Sequence, residues 1–191
     1  MGKGRLEAFS DGVFAVIITI MVLELKVPQG SDLAALRPVL PVFLSYLLSF
    51  VFVGIYWNNH HHMLHAVHRV NGFVLWANLH LLFWLSLVPF ITAWMGENHR
   101  QTVPVALYGL VLFMAGTAYY ILERGLIALH GKESPLALAV GTDFKGILSV
   151  ALYTAAVALA FVNTWISIAL YICVAVMWFI PDRRIEKAIS E

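Results

Sequence analysis

The sequence predicts an all-α integral membrane protein with six transmembrane helices in the chain, and three observations carry that reading. Of the 191 residues, 61% are hydrophobic and 12% are charged, against a charged share of roughly 25% in soluble domains. Mean hydropathy is +0.82, too high for a water-soluble core of this size. The apolar residues gather into six runs, each near the ~20 residues that a helix needs to cross a bilayer. A formal net charge of +1 gives nucleic acid no electrostatic footprint. The single cysteine, Cys173, excludes an intrachain disulfide.

The first run extends from about Arg5 to Leu25 and opens with charge; it carries Asp11 and is too long for the apolar core of a signal peptide. The second, from about Pro38 to Trp57, is uncharged, and the third, about Val70–Trp94, holds Asn78 and His80. The fourth covers about Val103–Leu122, the fifth about Gly146–Val162 and the sixth about Trp165–Ile180. Only Asn163 and Thr164 remain to turn the chain between the last two, which predicts an antiparallel hairpin. Pro181 ends the sixth helix. Gly109 and Gly116 on the fourth helix, with Ala151, Ala155 and Ala158 on the fifth, are small enough to allow close helix contact. No repeat of the six-span unit is visible, so residues 1–191 read as one transmembrane domain.

Charge sets the topology. Lys3, Arg5, Arg69, Arg124, Lys132, Lys145, Arg183, Arg184 and Lys187 fall on one side of the predicted membrane, and Lys26, Arg37 and Arg100 on the other. Nine of the 12 basic residues on one side predict that both ends are cytoplasmic. The basic residues after the sixth span anchor it to that face.

The first helix departs from an ordinary span. At about 100° per residue, Gly12, Val16, Thr19, Ile20 and Leu23 share one stripe, which Arg5 and Phe9 extend. Asp11 lies about 120° around the helix from Arg5, so each needs a partner on another helix or another subunit, and Ser10 points elsewhere again. Charge within a span costs about 2.5–3.5 kcal/mol per residue on insertion scales. The Arg-x-x-x-Phe-Ser-Asp run therefore marks a structural lock or the lining of a conduit.

Arg5, Phe9, Ser10 and Asp11 in this spacing, followed by Gly-Val-Phe-Ala-Val-Ile-Ile-Thr, resemble the signature of the lysosomal potassium channel family (transmembrane protein 175) and its prokaryotic relatives. Tyr56-Trp57-x-x-His60-His61, then Leu75-Trp76-x-Asn78-Leu79-x-x-Leu82 and Pro89-Phe90, continue the likeness to about residue 90. The resemblance implies a leak-type channel passing K⁺ in modest preference to Na⁺, with no cofactor and without the Thr-Val-Gly-Tyr-Gly filter, a string absent here. It implies a homotetramer in the prokaryotic plasma membrane, since this chain holds one six-span unit where eukaryotic members hold two. The partners are then other copies of the chain, the lipid bilayer and monovalent cations. The first helix of each subunit would line a central pore, with Val16, Ile20 and Leu23 as hydrophobic rings and Thr19 as a hydroxyl ring. Val16 stands where relatives carry isoleucine or leucine, which implies a wider ring. Thr19 can offer oxygen to a cation or bond back to the Ala15 carbonyl, and the sequence leaves both open.

Arg5 and Asp11 fit two roles. As a lock, they bond with Trp57, His60 and Asn78 on the second and third helices; as a conduction element, Arg5 repels cations and Asp11 attracts them. A bare arginine in a cation path opposes flux, which favours the lock. His61, His65 and His68 share a helical face at a spacing that can bind Zn²⁺. No nearby cysteine or carboxylate completes such a site, so no metal site is assigned and interfacial, solvated histidines are expected. The competing reading is a proton- or metal-coupled transporter using Asp11 and the histidine cluster. That class predicts broken helices or an inverted repeat, and the sequence shows neither. An enzyme is not predicted: Ser10 and Asp11 diverge around the helix and form no nucleophile–base pair.

Overall fold

The computed structural model describes residues 2–141 and 143–179; Pro181, Arg183, Arg184 and Lys187 lie outside them. Apart from one isolated antiparallel bridge between Gly2 and Arg69, regular structure among the described residues is helical. The order is α1 (Gly4–Leu23), α2 (Leu40–His65), α3 (Gly72–Ser86), α4 (Val88–Glu97), α5 (Thr102–His130), α6 (Pro135–Val140), α7 (Phe144–Leu159) and α8 (Thr164–Phe179). Among the described residues, four stretches are long and apolar enough to cross a membrane: Gly4–Leu23, Leu40–His65, Gly72–Glu97 and Thr102–His130. The apolar helices α7 and α8 are shorter, at 16 residues each.

The predicted third span is two helices. Pro89 has no N–H and its ring crowds the carbonyl four residues back, so α3 gives way to α4 at Leu87. That residue keeps right-handed helical dihedrals, φ −83° and ψ −13°. The break is therefore a kink, not the unwound segment that transporter sites use. The second and fourth spans run further than hydropathy predicts, to His65 and His130. Backbone hydrogen bonding does not stop where the apolar run stops. Gly131, at φ +93°, ends α5.

α5 packs against α3, α4, α7 and α8, while α1 packs against α2, α3 and α4. Two close approaches fix the bundle. A Cβ on Gly109 would overlap the Tyr171 hydroxyl, and one on Gly125 would strike the Phe73 ring. The predicted alanine seam on α7 falls elsewhere: Ala151 and Ala158 are exposed, whereas Ala156 and Ala160 are buried. Buried hydroxyls cross-link helices in the core. Thr92 Oγ1 donates to Ser49 Oγ at 2.7 Å, and Ser49 Oγ lies 2.9 Å from Tyr108 Oη. Ser167 Oγ donates to the Ala156 carbonyl and Trp178 Nε1 to Ser149 Oγ. Rising numbers on α8 meet falling ones on α7, so the predicted hairpin is antiparallel.

Basic side chains are bonded at both ends of the bundle. Lys3 Nζ donates to the Leu64 carbonyl at 2.7 Å and Arg69 to the Leu129 carbonyl at 3.4 Å, at one end of the bundle. Lys26 pairs with Glu97 at 2.5 Å at the other.

Candidate functional site

The first helix has two unlike faces. Leu6, Ser10, Phe14, Ile17 and Met21, three or four residues apart, are buried against the rest of the chain. Phe9, Val16, Ile20 and Leu23 are exposed, by 54%, 54%, 43% and 79%. Gly12 and Thr19 are exposed with them. Beside this stripe lies an open apolar groove of about 710 Å³ between α1 and the α3–α4 pair, bordered by Phe9, Gly12, Val16, Ile20, Pro89 and Phe90. The stripe read from the sequence is thus a continuous outer surface of the chain.

Two polar anchors hold the opposite side of α1. The first is buried and ties three helices: His60 Nε2 lies 2.8 Å from Asn78 Oδ1, and Asn78 Nδ2 donates to Ser10 Oγ at 3.0 Å. All three are at most 1% exposed. With the Asn78 oxygen accepting, His60 donates through Nε2–H, the tautomer this network selects. The Phe14 ring packs on the imidazole at 5.5 Å between centroids. The second anchor is Trp57 Nε1–H donating to Asp11 Oδ1 at 3.0 Å, on an exposed flank.

The expected lock is therefore divided. Asp11 takes Trp57 but neither His60 nor Asn78; Ser10, which the helical wheel left unassigned, completes the buried chain. Arg5 is exposed and has no hydrogen bond or ion pair among the described residues. Its sequence-predicted partners on the second and third helices are not its partners within one chain. Ser10 carried a readable signal: it is the one hydroxyl in the row Leu6, Phe14, Ile17, Met21.

Thr19 removes an alternative that the sequence left open. Its hydroxyl donates to both the Ala15 and Val16 carbonyls, at 3.1 and 2.9 Å. Donation consumes the proton and leaves oxygen lone pairs on the exposed side. Backbone bonding and an oxygen offered outward are compatible.

The histidines do not converge. α2 ends at His65, so His68 sits beyond the helix and off the predicted face. Its backbone N–H points at His130 Nε2. His61 stacks between Trp57 and His65, at 5.9 and 6.0 Å. No group of three or more His, Cys, Asp or Glu placed to hold a metal occurs among the described residues. His80, half-buried within the third span, accepts from Trp84 Nε1 at 2.9 Å. Glu123, near the end of the fourth apolar run, is 6% exposed, because α5 continues past it. Outside the spans, the hydrogen bond and charge of Glu97 raise the Lys26 pKa above its ordinary value.

Residues 5–89 match the model of a family described as the endosomal/lysosomal potassium channel TMEM175. A potassium channel of Chryseobacterium sp. (strain P1-3) is 56% identical over 191 residues, covering all of both chains. The chain belongs to the TMEM175 family. A potassium channel of Chamaesiphon minutus is 32% identical, with 91% of each chain covered. The crystal structure of a lysosomal potassium-selective channel TMEM175 homolog from Chamaesiphon minutus superposes with a TM-score of 0.78 at 30% identity, over 94% of this chain and 97% of that one. The mouse endosomal/lysosomal proton channel TMEM175 is 28% identical over 186 residues, of which this chain spans 36% of the length. Membership in the TMEM175 family makes the chain a membrane-embedded ion channel protein and not an enzyme.

Proposed function

We propose that this chain forms a leak-type cation channel favouring K⁺ over Na⁺, as a homotetramer in the prokaryotic plasma membrane. Six helices of each subunit cross the bilayer, both ends are cytoplasmic, and α1 of each subunit faces a central axis. One observation carries the reading. The outward face of α1 bears Arg5 and Thr19 among its apolar residues, with exposed Asp11 on its flank, whereas that of α2 between residues 40 and 50 offers Leu40, Phe43, Leu44, Leu47 and Phe50. A purely apolar face suits lipid; a face with charges does not, at about 2.5–3.5 kcal/mol for each. The α1 face therefore belongs against other subunits and an aqueous path, and the apolar groove beside it seats a neighbouring copy.

The mechanism follows from side-chain chemistry. Four copies of Val16, Ile20 or Leu23 crowding an axis leave little polar surface for water, so the constriction closes by dewetting. Opening separates or rotates the four helices. A cation then meets four Thr19 oxygens whose hydroxyl protons already point into the helices. Neutral oxygens of this kind discriminate modestly between K⁺ and Na⁺; the preference for K⁺ rests on the relatives' names. The Ser10–Asn78–His60 and Asp11–Trp57 anchors hold α1 in register for that geometry.

Purified protein in planar bilayers tests the proposal. Unitary currents are expected, with a bi-ionic reversal potential favouring K⁺. Because mammalian relatives are named proton channels, a proton gradient in the same recording measures proton permeation. Slow, turnover-limited flux without unitary events would reject the channel in favour of a transporter.

A further inference from the structure

A second cavity lies away from α1. It encloses about 390 Å³ between α2, α5, α7 and α8, within the range of about 300–1,000 Å³ typical of small-ligand sites. Its deep end lies where Phe52 of α2, Gly116 of α5 and Tyr153 of α7 meet, and the same three helices reach its mouth at Asn59, Arg124 and Asp143. Rings and aliphatic side chains make up most of the wall. The Tyr153 ring centroid is 6.4 Å from that of Phe52. A Cβ on Gly116 would meet only Tyr56 Oη at 3.5 Å and the Tyr153 ring at 4.0 Å, so the side chain that Gly116 lacks adds to the open space.

Most hydroxyl protons around the cavity are committed to backbone carbonyls. Tyr56 donates to Leu112 at 3.4 Å, Tyr119 to Asn59 at 3.3 Å, Thr117 to Phe113 at 2.9 Å and Ser149 to Lys145 at 2.8 Å. Tyr153 differs. It is 3% exposed and lines the deep end, and its hydroxyl has no hydrogen-bond partner among the described residues. A buried donor left unpaired is costly, so this proton calls for an oxygen that the chain does not supply. The charged groups near the mouth are already engaged. Asp143 accepts from the Gly146 N–H at 3.1 Å, and Lys145 Nζ lies 5.7 Å from the Trp178 ring centroid. The Arg124 guanidinium lies 4.8 Å from the Tyr120 ring centroid, with its Nε 3.8 Å from Glu123 Oε1.

We propose that this cavity is a binding site for a neutral, flat aromatic carbonyl compound. The rings of Phe52, Tyr56, Tyr153 and Trp178 offer the faces and edges against which an aromatic ligand packs. Its carbonyl oxygen accepts the Tyr153 hydroxyl proton at the deep end. A charged ligand would enter an apolar chamber whose nearby charges already have partners, and burial of an unpaired charge is strongly unfavourable. A hydrocarbon of the same shape would fill the space but leave the Tyr153 donor unsatisfied.

Calorimetric titration of the purified full-length protein in nanodiscs tests the site, with empty nanodiscs as the blank. The probes are 2-acetylnaphthalene and 2-isopropenylnaphthalene, which match in shape and differ in the carbonyl oxygen. Saturable binding of both is expected, with the ketone tighter by about fivefold, the effect of one neutral hydrogen bond. Tyr153→Phe, which removes the hydroxyl and keeps the ring, should bring the ketone down to the affinity of the hydrocarbon and leave the hydrocarbon unchanged. Gly116→Leu fills the deep end and should abolish binding of both. Size-exclusion profiles show whether Gly116→Leu folds; if it does not, the Tyr153→Phe comparison decides. The assignment is overturned if the ketone shows no saturable binding above the blank, or if the native protein binds both probes equally. A preference that survives in Tyr153→Phe, or binding that persists in folded Gly116→Leu, overturns it as well.

Discussion

Asn78 and Thr19 show how single side chains set the behaviour of α1. Asn78 donates to Ser10 and accepts from His60 in a buried setting, so Asn78→Ala leaves two buried polar groups without partners. Such groups cost about 1–3 kcal/mol each in proteins generally, while interhelical hydrogen bonds in membranes average nearer 0.6 kcal/mol. A net loss of about 1–3 kcal/mol is expected, read as a lowered unfolding temperature in detergent. An unchanged temperature would mean that packing alone holds α1. Thr19→Ala removes the outward oxygen and should lower the K⁺/Na⁺ permeability ratio, whereas Thr19→Ser should retain it; an unaltered reversal potential in Thr19→Ala removes the hydroxyl from the filter. Lys26 supplies the pH statement. Its raised pKa means that the Glu97 pair contributes below the ordinary lysine value near 10.5 and is lost only as pH rises through the higher folded value. The small difference in thermal stability between Lys26→Met and the native chain should therefore stay constant between pH 6 and 9; a difference that varies over this range would contradict it.

At the scale of elements, the bundle depends on close approaches that only small residues permit. Gly109→Ala places a methyl group on the Tyr171 hydroxyl, which bonds to the Val105 carbonyl at 2.9 Å. Overpacking of this kind costs about 1–3 kcal/mol, and the unfolding temperature should fall. Gly116→Ala, where space exists, should change it little. The contrast shows what the sequence could and could not tell. Both glycines read equally as contact residues, and only the opposing helix distinguishes them. Hydropathy located all six apolar runs but misplaced the ends of α2 and α5, because a helix is propagated by backbone bonds and continues through polar residues. Trp57, His60 and Asn78 were legible as hydrogen-bond formers inside apolar runs, where an unpaired polar group is costly. Which of them meets Asp11 was not, since helix azimuths give directions and not neighbours. The burial of Glu123 was hidden for the same reason: a charge near the end of an apolar run reads as interfacial until the helix is seen to continue.

For the whole molecule, a single chain leaves the working surface unfinished. Its α1 stripe is outward, greasy, and interrupted by Arg5 and Thr19, with Asp11 on its flank, a combination suited to neither lipid nor water. The proposed assembly would resolve the conflict by giving the apolar groove a neighbour and the polar groups an axis. The central claim is that the α1 helices surround that axis, and a symmetry-resolved structure of the purified oligomer in a lipid nanodisc measures it most directly. The account predicts fourfold symmetry with Val16, Ile20 and Leu23 of every subunit pointing at one another across a narrow opening. An assembly that turns those three residues toward lipid, or that has no opening along its axis, would contradict it.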